Sequence, residues 1–322
     1  MREPQADRPV AVLGFGNQGE AHAHNLRDGG AAVVVGARSG GDADRRARAA
    51  GFDTRPLADA ALAGRVISVL LPDEAVPEAW PAFAPAVAPG ATVVFAHGFN
   101  LLYGALDLPG GADVVLVSPT GPGRVLRLSF TRDEKLPAYV AVHQDATGGA
   151  RAAAERYAAG IGCAPLWSTS VREETEVDLF GEQVVLCGGM NALVAAAFET
   201  LVEAGYSEEI AYLECVHQLK YLADLLHERG PAGFRRAISG TALYGDLTRG
   251  PRVIGEPSRR EMRAILEEIR SGAFAREWLA ESRAGRPRLS EAAGRAERHP
   301  LESARRRALG APRDPGVRAP KP

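Results

Sequence analysis

The chain has 322 residues, 46% hydrophobic and 24% charged, enough for more than one domain with an ordinary buried core. Its 38 Lys and Arg against 40 Asp and Glu leave a formal net charge of -2, which speaks against a nucleic-acid surface and makes a small molecule the expected partner. Cys163, Cys187 and Cys215 lie too far apart for a disulfide framework or a zinc-ligand spacing, Met1 to Arg8 lacks the apolar core of a signal peptide, and no run of about 18 uncharged apolar residues is seen, so a cytoplasmic protein without a membrane span is expected.

From Val10 to about Ser168, short apolar, β-branched runs alternate with Ala-rich stretches of helical pattern. The runs are Val10 to Leu13, Ala32 to Gly36, Val66 to Leu71, Thr92 to Ala96, Val114 to Val117 and Tyr139 to Val142, and they read as parallel strands buried on both faces. Helices are expected over Gln18 to Arg27, Asp42 to Ala50, Asp73 to Phe83 and Gly148 to Gly160, which makes a doubly wound α/β sheet. After Ser170 the β pattern stops. Helices are expected over Glu173 to Ala204, Ser207 to Arg229, Ser258 to Ser271 and Ala275 to Arg283, with Ser207 as an N-cap and Gly205 and Gly230 as stops. The predicted organisation is therefore an α/β domain over 1–169, an all-α domain over 170–310 and a disordered Pro-, Arg- and Gly-rich tail over 311–322.

Gly14-Phe15-Gly16-Asn17-Gln18-Gly19 follows the first strand and opens the first helix. Glycines there allow a tight turn, approach of the backbone to a pyrophosphate and close helix–strand packing, while the helix N-terminus faces the negative charge. At the end of the second strand, where an acidic residue would hold ribose hydroxyls, stand Arg38 and Ser39, followed by Arg45 and Arg46. That pattern favours a 2′-phosphate, hence NADPH over NADH, although Asp42 and Asp44 in the same loop would repel one.

The second domain begins with a helix that is apolar almost all round from Val177 through Phe198, and such a helix is expected to be buried. Asp178 and Glu182, spaced i,i+4, would project from one face of it, where a divalent hard cation such as Mg²⁺ would offset the cost of burying two carboxylates. Glu214 and Gln218 share a face of the next helix; Asp224 and Glu228 read as a solvated pair.

Taken in order, Gly14 to Gly19, Leu70-Leu71-Pro72-Asp73-Glu74, Phe95-Ala96-His97-Gly98-Phe99-Asn100, Gly121-Pro122-Gly123, Glu173 to Gln183, Leu186-Cys187-Gly188-Gly189, Phe198 to Tyr206 and Tyr244-Gly245-Asp246 resemble the short form of ketol-acid reductoisomerase, from about residue 10 to His299-Pro300-Leu301-Glu302. The resemblance implies an N-terminal Rossmann domain, a C-terminal knotted helical domain and a homodimer whose active site draws on both chains. It implies a Mg²⁺-dependent alkyl migration in a 2-acetohydroxy acid, then hydride reduction to a 2,3-dihydroxy acid in branched-chain amino-acid synthesis. By position it makes Asp178 a carboxylate bridging two Mg²⁺ ions, Glu182 a ligand of the first and Glu214 of the second. Ser239 becomes a hydroxyl that meets the substrate carboxylate, and His97 a histidine near nicotinamide and substrate.

The chain departs from the family pattern at chemically telling places. The lysine of a K-G-P-G motif is Thr120, in a chain whose few lysines would predict arginine as the replacement. The last metal carboxylate is Gln218, a glutamate position is Leu243, and two serines of the cofactor loop are Gly41 and Ala43, which weakens the 2′-phosphate reading. Migration needs two Lewis-acidic metals and a group that manages the hydroxyl proton, whereas reduction of a polarised carbonyl needs less. The expected function is thus NAD(P)H-dependent reduction of the C=O or C=N of a small 2-oxo acid, with isomerisation lost. The alternatives are an authentic reductoisomerase converting 2-acetolactate to 2,3-dihydroxyisovalerate, and an inactive dimeric binding paralogue.

Overall fold

The computed structural model describes residues 8–104 and 106–310; the expected disordered tail lies outside them. The chain divides into two compact units, Met1–Val177 and Asp178–Pro322.

The first unit runs β1 (Val10–Leu13), α1 (Asn17–Asp28), β2 (Val33–Gly36), α2 (Asp42–Ala49), β3 (Asp53–Arg55), α3 (Leu57–Ala63), β4 (Val66–Val69), a 3-10 turn Asp73–Ala75, α4 (Val76–Phe83), β5 (Thr92–Phe95), α5 (Phe99–Leu102), β6 (Asp113–Pro119), α6 (Gly123–Thr131), β7 (Leu136–Gln144), α7 (Ala150–Gly160) and β8 (Cys163–Ser168). Its eight-stranded sheet has the order β3-β2-β1-β4-β5-β6-β7-β8. Alternate residues of each strand serve opposite faces. Val12, Val35, Val94, Val115 and Val140 pack with Leu26, Ala154 and Tyr157 on one side, and Leu13, Val34, Ile67, Val93 and Leu116 with Trp80 and Phe83 on the other. Each such buried side chain contributes roughly 1.5–3 kcal/mol, so a continuous apolar strand is stable here only because both faces are covered.

Three expectations need correction in this unit. The sheet is not wholly parallel, because β7 runs antiparallel to β6, and β8 follows β7. Two strands, β3 and β8, went unpredicted: Asp53-Thr54-Arg55 lacks an apolar run, and Pro165 within β8 is tolerated only because that strand is an edge. The expected helix Asp73 to Phe83 is a 3-10 turn followed by α4.

Helix α8 (Val171–Gly181) starts in the first unit and ends in the second. Thereafter come a π turn Glu182–Leu186, α9 (Gly188–Glu203), α10 (Glu208–Tyr212), a second π turn Leu213–His217, α11 (Leu219–Ala237), α12 (Gly240–Val253), α13 (Glu256–Arg270), α14 (Ala273–Arg283), α15 (Pro287–Glu297) and α16 (Pro300–Leu309). The two long helices expected here are therefore each interrupted by a π turn, seen as Cys187 N–H donating to the Glu182 carbonyl at 3.0 Å and Gln218 N–H to the Leu213 carbonyl at 3.3 Å. The span labelled α11 is two helical segments that meet at Gly230, whose φ of 64° and ψ of 172° stop the first as expected, and α12, α15 and α16 were not predicted. A small core of Phe198, Ala211, Tyr212 and Ala304 joins α9, α10 and α16, and Arg307 pairs with Glu208 and Glu209 to fasten α16.

The largest discrepancy is the apolar helix. Val177, Val185, Leu186, Met190 and Leu193 are exposed, and only 6% of the most apolar window of Val171–Glu203 is buried. Its 33 residues are also long and apolar enough, by length and composition, to cross a membrane, contrary to the expectation that no such stretch exists. Apolar composition states that a surface must be covered; it does not state by what.

Candidate active site

The glycine loop of the first unit sits where β1 gives way to α1, beside the end of β4, at the switch point of the strand order. Gly14 has φ +101°, and a Cβ on it would meet the Leu70 carbonyl oxygen at 2.5 Å. A Cβ on Gly19 would lie 2.2 Å from the Gly14 carbonyl oxygen, whereas one on Gly16 would meet nothing within 4 Å. The outer glycines thus pack backbone on backbone, and the middle one leaves space for a ligand. No side chain caps α1, so the N–H groups of Asn17, Gln18 and Gly19 stand at the positive end of a helix open to a phosphate. Gln18 donates to the Gly121 carbonyl at 3.0 Å, tying this loop to Gly121-Pro122-Gly123. Phe15 is buried against Phe52, leaving only its backbone to a cofactor.

In the loop after β2, Arg38 and Ser39 are exposed. Arg45 donates to the Gly40 carbonyl at 2.5 Å, and Arg46 pairs with Glu20. Asp44 turns away from this surface: it accepts from the Thr54 hydroxyl at 2.7 Å and from the Gly40 N–H at 3.0 Å, bonds that hold its carboxyl below the usual carboxylate range. Of the two aspartates expected to repel a phosphate, one is therefore committed to shaping the turn.

His97 follows β5 at the carboxyl edge of the sheet, and its Nδ1 lies 2.9 Å from Asp73 Oδ2. The Asn100 amide donates to the Asp73 backbone carbonyl at 3.0 Å and to its Oδ1 at 3.3 Å. The next residue, Gly98, donates its N–H to the buried Glu174 carboxylate at 3.3 Å, and a Cβ there would lie 2.0 Å from Thr175 Oγ1. The first turns of α8 thus seat directly on the His97 loop. Asp73, Asn100 and Glu174 were not singled out from the sequence, although each stands inside a motif that was. Thr120, just past β6 on the same edge, donates both its N–H and its hydroxyl to the Pro137 carbonyl, each at 2.9 Å.

In the second unit, Asp178 is half-buried and Glu182, Glu214, Gln218 and Ser239 are exposed, so the expected buried carboxylate face does not form within one chain. Glu182 and Glu214 fall in the two π turns, which shift the helix register by one residue and recur at functional sites. Ser239 caps α12, its Oγ accepting from the Ala242 N–H at 3.2 Å. Among the described residues, no group of three or more His, Cys, Asp or Glu is gathered as a cation site. The three carboxylates fit Mg²⁺ by donor chemistry, as hard oxygen ligands.

Two family models match nearly the whole chain. The acetohydroxy acid isomeroreductase NADPH-binding domain covers residues 5–166 and the ketol-acid reductoisomerase C-terminal domain residues 171–309. The solved structure of an NADH-preferring ketol-acid reductoisomerase from an uncultured archean is 36% identical, with TM-score 0.91 over 96% of each chain. More distant structures share the fold alone. A semialdehyde dehydrogenase NAD-binding protein from Cupriavidus necator is 18% identical, with TM-score 0.64 over 82% of this chain and 99% of that one. A pyrroline-5-carboxylate reductase from Coxiella burnetii is 15% identical, with TM-score 0.55 over 82% of this chain and 98% of that one.

Proposed function

We propose, from the premise that this chain belongs to the ketol-acid reductoisomerase family and is an NAD(P)H-dependent oxidoreductase, that it has kept the reductive half of the family reaction and lost the isomerisation. The substrate class is a small 2-oxo acid whose C=O or C=N receives hydride from the nicotinamide. The carrying observation is at Thr120: where the family pattern has a lysine, a neutral hydroxyl is bonded to the Pro137 carbonyl, while the glycine loop and His97 are intact. With Gln218 also lacking the charge of a carboxylate, the loss falls on managing the migrating system and much less on hydride transfer. The test is the relative rate on a rearranged and an unrearranged substrate.

Asp178, Glu182 and Glu214 would hold Mg²⁺, which when bound polarises the substrate carbonyl as a Lewis acid. Ser239 would meet the substrate carboxylate. The nucleotide we read as NADPH, because Arg38 is exposed at the end of β2 with no ion pair among the described residues, and Asp44 is turned inward. NADH preference is a property of the archaeal relative, and this loop is where the two can differ. We read the exposed apolar face of α8 and α9 as the surface a second copy of the chain would cover, in keeping with the homodimer that the family resemblance implies. All three cysteines are free thiols, in keeping with a reducing cytoplasm.

One observation favours a second reading, that of a working reductoisomerase acting on 2-acetolactate: the chain is 36% identical to a ketol-acid reductoisomerase and carries Asp178, Glu182 and Glu214 where the family resemblance has metal ligands.

A further inference from the structure

We infer that Asp73 is the positioning residue for His97, fixing its tautomer, with Asn100 as the clamp that orients Asp73; the inference rests on the reading of His97 as a group facing the nicotinamide and substrate. An ionised carboxylate only accepts hydrogen bonds, so the 2.9 Å contact places the proton on His97 Nδ1. The other nitrogen, Nε2, is buried, and on the reading of His97 as a substrate-facing group it is the atom that would offer a lone pair in the neutral ring or a proton in the charged one. Asn100, 1% exposed, aims its NH₂ at Asp73 Oδ1 and at the Asp73 carbonyl, and the reverse amide orientation would set oxygen against oxygen. Both carboxylate oxygens are thereby assigned: Oδ1 to Asn100 and Oδ2 to His97. The 3-10 turn that carries Asp73 follows β4 and the loop that carries His97 follows β5, adjacent parallel strands, so the pair bridges neighbouring strand ends at the ligand edge.

Asp73→Asn supplies a sharp test, because Asn100 holds the new side-chain oxygen in the Oδ1 place and so turns the new NH₂ toward His97. That donor forces Nδ1 to accept, moving the ring proton to Nε2. A structurally silent substitution has no such effect. We expect ¹⁵N spectra of histidine-labelled protein, with the His97 signal identified by its loss in His97→Gln, to show the Nδ1–H form in the native chain and the Nε2–H form in Asp73→Asn. In parallel, kcat on a 2-oxo acid should fall by roughly 100-fold or more while the cofactor Kd is unchanged. Asp73→Glu, which restores an acceptor, should return part of the Nδ1–H population. Asp73→Ala gives the same readout without relying on the new amide. An unaltered tautomer in both Asp73→Asn and Asp73→Ala overturns the proposal, as does a changed tautomer with unchanged kcat. Absence of any 2-oxo acid reduction by the native protein would count against the proposed reaction, and the tautomer result would still decide whether Asp73 sets the ring.

Discussion

The Thr120 hydroxyl donates to the Pro137 carbonyl at 2.9 Å, joining the end of β6 to the start of β7 across an antiparallel pair. A side chain bonded in this way to the backbone is a short, neutral part of the sheet edge, unlike the lysine of the family pattern. The contact thus links a change of residue type to a change of chemistry: where the family pattern has a lysine, this chain has a neutral hydroxyl bonded to the scaffold.

The nucleotide preference follows from the loop after β2. NADPH should bind more tightly than NADH, and Arg38→Ala should shrink the ratio by about tenfold, close to 1.4 kcal/mol, with little effect on NADH itself. Titration of both nucleotides against both proteins checks this. Equal affinities in the native chain would remove the 2′-phosphate from the account.

His22 sets a pH dependence on stability. It is fully buried, its Nδ1 2.8 Å from the Tyr157 hydroxyl, which in turn donates to Ser68 at 2.6 Å. Burial lowers its pKa from 6.5 to about 3. Below pH 6.5 the unfolded chain therefore takes up a proton that the folded chain refuses. The contribution is fully present above pH 6.5 and is lost as pH falls toward 3, by about 1.4 kcal/mol per unit. His22→Asn, which keeps a donor for Tyr157 and cannot ionise, should flatten the fall by that slope in urea unfolding at pH 7, 6 and 5. Parallel slopes would contradict the assignment.

Much of the first unit is legible in sequence because its signals are local. β1, β2, β4 and β5 are apolar, β-branched and bounded by turn residues, and the glycine loop falls at the predicted junction. Strand direction is not local: nothing in Tyr139 to Val142 distinguishes an antiparallel β7, whose orientation is set by pairing with β6. The π turns at Glu182 and Leu213 leave no pattern either, since the i,i+4 spacing of Asp178 and Glu182 reads as an ordinary helix face. Asp73 stands in a recognisable motif, yet its role comes from His97, 24 residues on, and is seen only once two strand ends meet. The Val177–Phe198 stretch reads as a buried helix because it is apolar almost all round, yet Val177, Val185, Leu186, Met190 and Leu193 are exposed: composition does not say what lies against a surface.

That uncovered face yields a prediction about assembly. Leu186 and Leu193 are 62% and 49% exposed, and burying each would contribute roughly 1.5–3 kcal/mol. The native protein should sediment as a dimer, and Leu186→Glu with Leu193→Glu should give a monomer that still binds NADPH through the glycine loop. A native protein that sediments as a monomer at micromolar concentration would contradict the homodimer.

The comparison that bears most directly on lost isomerisation is between 3-hydroxy-3-methyl-2-oxobutanoate, already rearranged, and 2-acetolactate, which must migrate first. The account predicts that the native enzyme oxidises NADPH with the former faster than with the latter by more than about 100-fold, since even one change near a metal commonly costs about 10 to 100-fold. Thr120→Lys combined with Gln218→Glu should recover acetolactate turnover beyond either change alone. Comparable rates on the two substrates in the native enzyme would contradict the account and identify a working reductoisomerase.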